Sequence, residues 1–251
     1  MAGETDSGAD AAPDPFGRAI LAFHRGELEG PLYQCGDGYG REHPIERFYF
    51  SGFDPGGSAG DAWLRDHLDL DGPVLDMGAG AGRHALYLQE RTGTVAIEPS
   101  EHLVTTMRER GVEAARRGDM FDLTGGFDRD RFRSAFAVGT QLGLAGSMDG
   151  LRAFLSDLAY VTDPEGRAVL DCYDPEAEGA SGLLGFRADP TPGLAHRVMH
   201  FEYGDDVGPT LYFRLFAPDR LREACVGTRW TVTDARYGEE GVHYRAALDK
   251  G

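Results

Sequence analysis

The sequence predicts an α/β fold with a doubly wound, mostly parallel sheet of seven strands. Short apolar strands alternate with helical segments from about Val74 to Tyr173, and no segment is repeated. Such alternation is typical of right-handed β-α-β crossovers. The strands are apolar throughout rather than at alternate positions, which indicates a sheet covered on both faces.

The part before this region has a different character. Residues 1–15 are acidic and poor in large apolar side chains, so they are predicted to form a disordered tail. Residues 16–26 have the pattern of an amphipathic helix, and residues 60–70 resemble a second short helix. The stretch between them is rich in glycine, aromatic and charged residues without a clean period. We expect residues 16–70 to form a cap or lid on a cofactor-binding domain of residues 71–251.

Within that domain, local features of the sequence predict the individual helices and strands. Ser100 is a suitable N-cap for a helix with Glu101 in its first turn. Four apolar residues of the helix after the fourth strand fall on one face: Leu151, Phe154, Leu155 and Leu158. Helices are predicted over 83–91, 100–111 and 147–161, and strands over 73–78, 94–99, 134–140 and 167–173, with another strand ending near residue 118.

The alternation of strands and helices ends after Tyr173. A loop-like stretch precedes two segments, 194–204 and 209–218, that are predicted to pair as a β-hairpin, so an insertion is expected at about 175–216. Pro218 stands near the start of a further helix. Two strands at 229–238 and 243–250 then close the chain and predict an antiparallel edge, with an antiparallel last strand.

The composition is strongly acidic. The formal net charge is −17, and Lys250 is the only lysine. Carboxylates with arginine in place of lysine suggest adaptation to high salt, whereas a high-GC genome is the alternative explanation. The charge argues against nucleic acid or an anionic membrane as the main partner. No apolar run approaches the roughly 20 residues of a membrane span, and residues 1–15 lack signal-peptide features, so a cytoplasmic location is expected.

The number and spacing of the cysteines also suggest a cytoplasmic location. Cys35, Cys172 and Cys225 are odd in number and lack Cys-x-x-Cys spacing, which is typical of reduced thiols in the cytoplasm. The sequence has no cluster of cysteine and histidine with ligand spacing, so no metal site is predicted.

The stretch VLDMGAGAGRHAL carries the functional prediction. Gly78, Gly80 and Gly82 lie between a strand and a helix, where glycine permits positive φ and close approach of a ligand to the helix N-terminus. A dinucleotide fingerprint, Gly-x-Gly-x-x-Gly, would need a third glycine at residue 83, which is Arg83. Asp76, two residues before the first glycine, would repel a pyrophosphate but suits an ammonium or sulfonium group.

The motif resembles motif I of the class I S-adenosylmethionine-dependent methyltransferases, acid-x-Gly-x-Gly-x-Gly. The resemblance implies a Rossmann-like methyltransferase fold with S-adenosylmethionine as cofactor. It implies that Asp76 contacts the methionine part, that Glu98 accepts hydrogen bonds from the ribose hydroxyls, and that Asp119 bonds the adenine amino group. The other residues that it places at the cofactor are Gly78, Ala79, Gly80, Gly82, Pro99, Met120, Gly139 and Gln141. Glu98 alone fits NAD equally well, and tight turns, helix caps and solvated loops are the plainer interpretations of these positions.

The acceptor side is less defined. His43 is the candidate general base because an imidazole titrates near neutrality, and Tyr49 is a second candidate in the expected lid. The sequence lacks the Asn/Asp-Pro-Pro-Tyr/Phe motif that holds a planar amide or exocyclic amine. That absence argues against methylation of adenine N6 or of a glutamine side chain. The turn and helix read Gly-x-Gly-Arg-His-Ala-Leu, which looks closest to small-molecule methyltransferases. This resemblance implies methyl transfer to a small-molecule acceptor by in-line displacement, and a monomer or homodimer is expected. The alternatives are an NAD(P)-dependent oxidoreductase and a cofactor-binding relative without catalysis.

Overall fold

The structure is a computed structural model that describes residues 12–251. The helices are α1 (Pro15–Arg25), α2 (Ala59–His67), α3 (Arg83–Leu88), α4 (Glu101–Glu109), α5 (Leu123–Gly126), α6 (Met148–Val161) and α7 (Pro218–Cys225). The strands are β1 (Tyr33–Gly36), β2 (Tyr39–Glu42), β3 (Val74–Met77), β4 (Thr94–Glu98), β5 (Ala115–Arg117), β6 (Phe132–Ala137), β7 (Thr162–Tyr173), β8 (Phe186–Ala188), β9 (Leu194–Tyr203), β10 (Asp206–Val207), β11 (Leu211–Phe216), β12 (Trp230–Tyr237) and β13 (His243–Lys250).

Seven strands form the central sheet, in the order β12-β13-β7-β6-β3-β4-β5. The five strands β3 to β7 are parallel to one another, whereas β13 runs antiparallel to both β7 and β12. The predicted fold class and the antiparallel last strand are therefore confirmed. The last strand does not lie at the edge, however. It is inserted between β7 and β12 because its side chains are mostly buried, whereas those of β12 are mostly exposed.

Helices cover both faces of this sheet, as the apolar strands predicted. Every side chain of β3 and β4 is buried. On one face α6 and α7 pack on a core that contains Phe132, Phe154 and Tyr244. On the other face α2, α3 and α4 pack over two further apolar clusters. No helix in the described part of the chain is long and apolar enough to cross a membrane.

A second sheet joins the N-terminal region to the insertion. The predicted hairpin of β9 and β11 is present, with Leu211 opposite Met199 and Phe216 opposite Leu194. Strands β1, β8 and β10 also pair with β9, and β2 pairs with β1. The sequence did not reveal β1 and β2 because each has four residues and most of their side chains are at least partly exposed.

This second sheet, called the roof sheet below, lies beside the carboxyl end of β7. The Tyr244 hydroxyl donates to the carbonyl of Phe216 on β11 (2.9 Å), which ties the two sheets together. The short 3-10 helix Gln141–Ala145 lies against β11, since a Cβ at Gly143 would come within 3.0 Å of the Arg214 carbonyl oxygen. The roof sheet is thus fixed at the end of the parallel strands where ligands bind in folds of this type.

The start of the described part of the chain differs from the prediction. Most of the predicted tail, residues 1–11, lies outside the described residues. Its end is part of a helix, because Pro15 opens α1 and the Asp14 carboxylate accepts a hydrogen bond from the Gly17 N–H (2.8 Å). A carboxylate and a proline at these positions are a standard helix start. Helix α1 then packs on α4 and on β9.

A substitution at Gly185 tests how closely the chain at the start of β8 packs against β9. Its φ is +75°, and a Cβ there would lie 2.0 Å from the Val198 carbonyl oxygen. We expect Gly185→Ala to lower the free energy of unfolding by about 2–4 kcal/mol, because backbone strain and a backbone clash add together. The measurement is chemical denaturation.

Gly227 is the matched control, since its φ is +84° but no atom lies within 4 Å of an added Cβ. Gly227→Ala should lower the free energy of unfolding by only about 1 kcal/mol, which is the cost of the backbone strain alone. Equal losses for the two variants would contradict the proposed clash.

Candidate active site

The glycine-rich turn lies at the carboxyl end of β3. Gly78, Gly80 and Gly82 all have positive φ, between +57° and +79°, which explains why glycine is present at each position. The Gly78 and Ala79 N–H groups donate to the Ile97 carbonyl at the end of β4 (3.0 and 3.1 Å). Gly82 is the N-cap of α3, so the turn leads directly into a helix N-terminus, as predicted.

Two buried carboxylates flank this turn. Asp76 lies within β3 and is 1% exposed, and Glu98 ends β4 and is 8% exposed. The Glu98 carboxylate accepts a hydrogen bond from the Gly80 N–H (3.0 Å). Asp76 Oδ2 is buried and has no hydrogen-bond partner within residues 12–251. A buried carboxylate oxygen without a donor is costly, so it indicates a position that a cationic or hydrogen-bonding ligand completes.

Burial raises the pKa values of both carboxyl groups. Burial raises the pKa of Asp76 well above its ordinary value, and the nearby Glu98 raises it further. Burial also raises the pKa of Glu98, to about 7, although the N–H groups of Gly80 and Ser100 counteract part of the shift. Two carboxyl groups that are reluctant to ionise together would be stabilised as anions by a bound cation or by hydroxyl donors.

Two side chains cover the turn. A Cβ at Gly78 would lie 2.8 Å from Gln141, and a Cβ at Gly80 would lie 3.3 Å from the Tyr49 ring. Gln141 begins the 3-10 helix after β6, and Tyr49 belongs to a π-helical turn, Glu46–Phe50, in the N-terminal region. The predicted lid residue and the predicted residue after the fourth strand therefore both lie on the glycine turn.

Arginines fix the N-terminal region on the turn. One Arg110 nitrogen donates to the carbonyls of Tyr49 (2.9 Å) and Ala81 (2.6 Å), so it joins the two segments directly. Arg83, the first residue of α3, donates to the carbonyls of Ser51 and Gly52 and pairs with Asp61 (2.6 Å). Neither role was predicted, because carbonyl acceptors in an irregular segment leave no trace in the sequence.

His43 and Tyr49, the predicted catalytic pair, are in contact. His43 Nε2 lies 2.9 Å from the Tyr49 hydroxyl, and Phe16 and Phe201 pack against the His43 ring. Burial, with a smaller effect of Arg197, lowers the pKa of His43 to about 4, so the imidazole is neutral at neutral pH. Burial and Glu98 raise the pKa of Tyr49. This environment suits hydrogen bonding by His43 better than proton removal from a strongly basic acceptor.

The other predicted cofactor residues lie around the same end of the sheet. The Gly118 N–H donates to the Glu98 carbonyl (3.2 Å), which places Asp119 and Met120 beside the end of β4. Asp119 is exposed and accepts from the Phe121 N–H, whereas Met120 is buried in the core. Pro99 is exposed. Gly139 has φ +105°, and its N–H donates to the Asp171 carboxylate (2.7 Å).

The pair of Asp171 and His243 was missed by the sequence analysis. The buried Asp171 carboxylate accepts hydrogen bonds from the N–H groups of Gly139 and Thr140, and its Oδ2 lies 3.0 Å from His243 Nε2. The two residues come from adjacent antiparallel strands, β7 and β13, and are 72 positions apart. Only the strand pairing brings them together, so no local motif could have revealed them.

Arg197 connects this pair to the lid residues. Its guanidinium lies over the Tyr173 ring (5.6 Å), and the Tyr173 ring packs edge-on against His243 (5.3 Å). On its other side Arg197 is close enough to His43 to lower the pKa of that imidazole. A series of polar side chains therefore runs from β13 through the roof sheet to the glycine turn.

The hairpin of β9 and β11 directs its side chains to two opposite faces. Tyr203 lies on the inner face of β9 and is buried, but His200 and Tyr212 lie on the outer face, and Tyr212 is 64% exposed. The reason is the two-residue alternation of strand side chains, which sends residues 200 and 203 to opposite faces. Asp174 also has a structural role, since its carboxylate accepts from the Tyr237 hydroxyl (2.6 Å) and the Glu176 N–H.

Comparison with known proteins identifies the fold. No protein-family model matches the sequence, and no curated protein matches it. A SAM-dependent methyltransferase from Bacteroides fragilis, crystallised with S-adenosyl-L-homocysteine, superposes with a TM-score of 0.74 at 22% identity over 95% of each chain. The chain has the fold of the S-adenosylmethionine-dependent methyltransferases.

Two further structures share this methyltransferase fold. One is the 1,6-didemethyltoxoflavin-N1-methyltransferase of Burkholderia thailandensis (TM-score 0.55, 18% identity, 96% of this chain and 92% of that chain). The other is CalS10 from Micromonospora echinaspora, an amino pentose methyltransferase (TM-score 0.55, 15% identity, 76% of this chain and 88% of that chain). The similarity extends over the N-terminal region and the insertion in the first two comparisons, which cover nearly the whole chain.

The buried Glu98 predicts a pH dependence of stability. The folded-state pKa of about 7 exceeds the ordinary value of 4.5, so Glu98 adds stability below pH 4.5 and this stability is lost as the pH rises through 7. We expect Glu98→Gln to raise the free energy of unfolding at pH 8 by up to about 3 kcal/mol, and by little at pH 5. The measurement is urea denaturation at both pH values.

Glu101→Gln is the control, because Glu101 is an exposed acid in the next helix. Its effect should be small and independent of pH. A Glu98→Gln variant that is less stable than the wild type at pH 8 would contradict the assigned cost of the buried charge.

Proposed function

We propose that the protein is an S-adenosylmethionine-dependent methyltransferase acting on a small-molecule acceptor. The observation that carries the proposal is the pair of buried carboxylates, Asp76 and Glu98, beside three glycines of positive φ, with Asp76 Oδ2 lacking a partner within residues 12–251. The methyltransferase fold and its relatives, including one crystallised with S-adenosylhomocysteine, support the same cofactor.

The residues fit this cofactor in charge and in space. Asp76 would hold a cationic part, and Glu98, at the end of β4, would accept from the ribose hydroxyls. The positive φ values and missing side chains at Gly78 and Gly80 would let a ligand reach the backbone once Gln141 and Tyr49 turn aside. The exposed Asp119 would bond the adenine amino group, and Met120 beside it packs into the core. When bound, S-adenosylmethionine supplies an activated methyl group on a sulfonium.

The chain's own contribution is alignment and exclusion of water. Tyr49, Phe16 and Phe201 form an apolar cover over the turn, and Arg83 and Arg110 fix that cover to α3 and α4. A cover of this kind orients the reactants and keeps the site dry. The proposed lid function of residues 16–70 rests on these contacts.

We propose His243 as the proton acceptor for an acceptor molecule that is protonated. Asp171 Oδ2 lies 3.0 Å from His243 Nε2, which would leave Nδ1 to take up a proton, and the His243 side chain is partly exposed. His43, with its pKa lowered to about 4, would instead accept a hydrogen bond. The carboxylates of this region favour a cationic acceptor, and two structural relatives are named for an amino pentose and for an N1 position. An amine is therefore the acceptor class to test first.

The cofactor assignment is tested by calorimetric titration with S-adenosylhomocysteine and, separately, NAD, in low and in multimolar KCl. We expect micromolar affinity for S-adenosylhomocysteine and none for NAD. Glu98→Ala should weaken binding about 10-fold to 100-fold, because it removes the acceptor for the ribose hydroxyls. Binding confined to high salt would support the halophilic interpretation of the composition.

Glu101→Ala is the control, and its affinity should equal that of the wild type. Binding of NAD without binding of S-adenosylhomocysteine would overturn the proposal in favour of the oxidoreductase alternative. Binding of S-adenosylhomocysteine without methyl transfer to any member of a broad acceptor panel would favour the non-catalytic alternative.

The affinity should also depend on pH. Ribose hydroxyls and an ammonium group favour ionised Glu98 and Asp76, whose pKa values burial raises. The affinity for S-adenosylhomocysteine is therefore expected to increase as the pH rises from 6 to 8, with proton release on binding. Calorimetry in buffers of different ionisation enthalpy measures that proton release. The Glu98→Gln variant should release fewer protons, and an unchanged value would refute the role of Glu98.

The base is tested with His243→Gln. Glutamine can still donate to Asp171 but cannot take up a proton, so kcat for a small amine should fall about 100-fold or more. Affinity for S-adenosylhomocysteine should not change. Formation of S-adenosylhomocysteine with a panel of amines gives the rate. His196→Gln, on the outer face of the roof sheet, is the control, and wild-type kcat for His243→Gln would exclude this base.

A further inference from the structure

Three metal-binding side chains meet on the outer face of the roof sheet. Cys35 of β1 lies directly opposite His200 of β9 in the antiparallel ladder, and Glu202 is the next residue of β9 on the same face. Their ligand atoms, one thiol sulfur, one imidazole nitrogen and one carboxylate oxygen, all lie within 4.8 Å of one another. His200 Nε2 is 2.8 Å from a Glu202 carboxylate oxygen.

Neighbouring strands flank this cluster on two sides. All three side chains are half-buried. Tyr33 of β1 and Val207 of β10 are the ladder neighbours of Glu202 on either side. The cluster is separate from the proposed active site, because Met199 and Phe201, between and beside these residues, face inward to the buried side.

We propose that Cys35, His200 and Glu202 bind a Zn²⁺ ion or a similar divalent transition metal. Sulfur, nitrogen and oxygen from three protein side chains are the ligand types that zinc takes, with a fourth tetrahedral position left for water. Small side-chain movements bring atoms at this spacing to the metal–ligand distances of about 2.0–2.3 Å that zinc requires. The thiol proton is released when the sulfur binds, and no redox step is involved.

Such a site would join two parts of the chain that are distant in sequence. Cys35 belongs to the N-terminal region, and His200 and Glu202 belong to the insertion. A metal bound by both would stabilise the pairing of β1 with β9, the pairing through which the N-terminal region enters the roof sheet. No local spacing of cysteine and histidine predicted this site, because Cys35 and His200 are 165 residues apart and meet only in the ladder.

The test is titration of the full chain, freed of metal by a chelator, with Co²⁺ as a spectroscopic probe and then with Zn²⁺. We expect one Co²⁺ per chain with a thiolate-to-cobalt charge-transfer band, displacement by an equivalent of Zn²⁺, and a higher Tm with Zn²⁺. Cys35→Ser should abolish the band, and Glu202→Gln should weaken binding about 10-fold or more.

Two controls carry the same residue types outside the cluster. Cys225→Ser and His196→Gln should keep the band and the stoichiometry, since Cys225 lies in the central core and His196 contacts Arg214 elsewhere on β9. Absence of a charge-transfer band in the wild type would overturn the proposal. So would a band that persists in Cys35→Ser, because the metal would then be bound by another thiol.

Discussion

The structure depends on a constraint at the ends of two adjacent parallel strands, where Asp76 and Glu98 are buried together beside the glycine turn. Burying both groups together is unfavourable while both are charged. The Gly80 N–H of the turn donates a hydrogen bond to the Glu98 carboxylate. The turn must therefore keep its backbone amide directed at Glu98. Only the positive φ of Gly80, with Gly78 and Gly82 on either side, gives the backbone that direction.

The arrangement of the N-terminal region follows from the same turn. A Cβ at Gly78 would collide with Gln141, and a Cβ at Gly80 would crowd the Tyr49 ring, so the glycines provide the space that these two side chains occupy. Arg110 then joins the Tyr49 carbonyl to the Ala81 carbonyl, which makes the cover an extension of the turn. A ligand that displaces the Tyr49 side chain breaks its hydrogen bond to His43 and its packing against Phe16, while the arginine bonds to the backbone can persist.

Sequence reasoning succeeded where the physical signal is local. The glycine turn, Asp76, Glu98 and the alternating elements are encoded within short windows by backbone freedom, charge and apolar runs. It failed where partners meet only through folding. The pairs Asp171–His243 and Cys35–His200 are formed by strand registers, and β1 and β2 were hidden because four-residue strands with exposed side chains have no hydrophobic period.

The single lysine bears on the meaning of the acidic composition. Lys250 is not at the surface: its side chain is 1% exposed, and Nζ donates to the carbonyls of Ala159 (2.6 Å) and Thr162 (2.5 Å). An ammonium is a compact point charge, whereas a guanidinium is a larger planar group with a fixed fork of donors. The one lysine of the chain therefore occupies a buried position, where a compact cation suits the two carbonyls. Selection on surface solvation and a codon bias both produce replacement at unconstrained positions, so the behaviour of the protein in salt, rather than its lysine count, separates the two explanations.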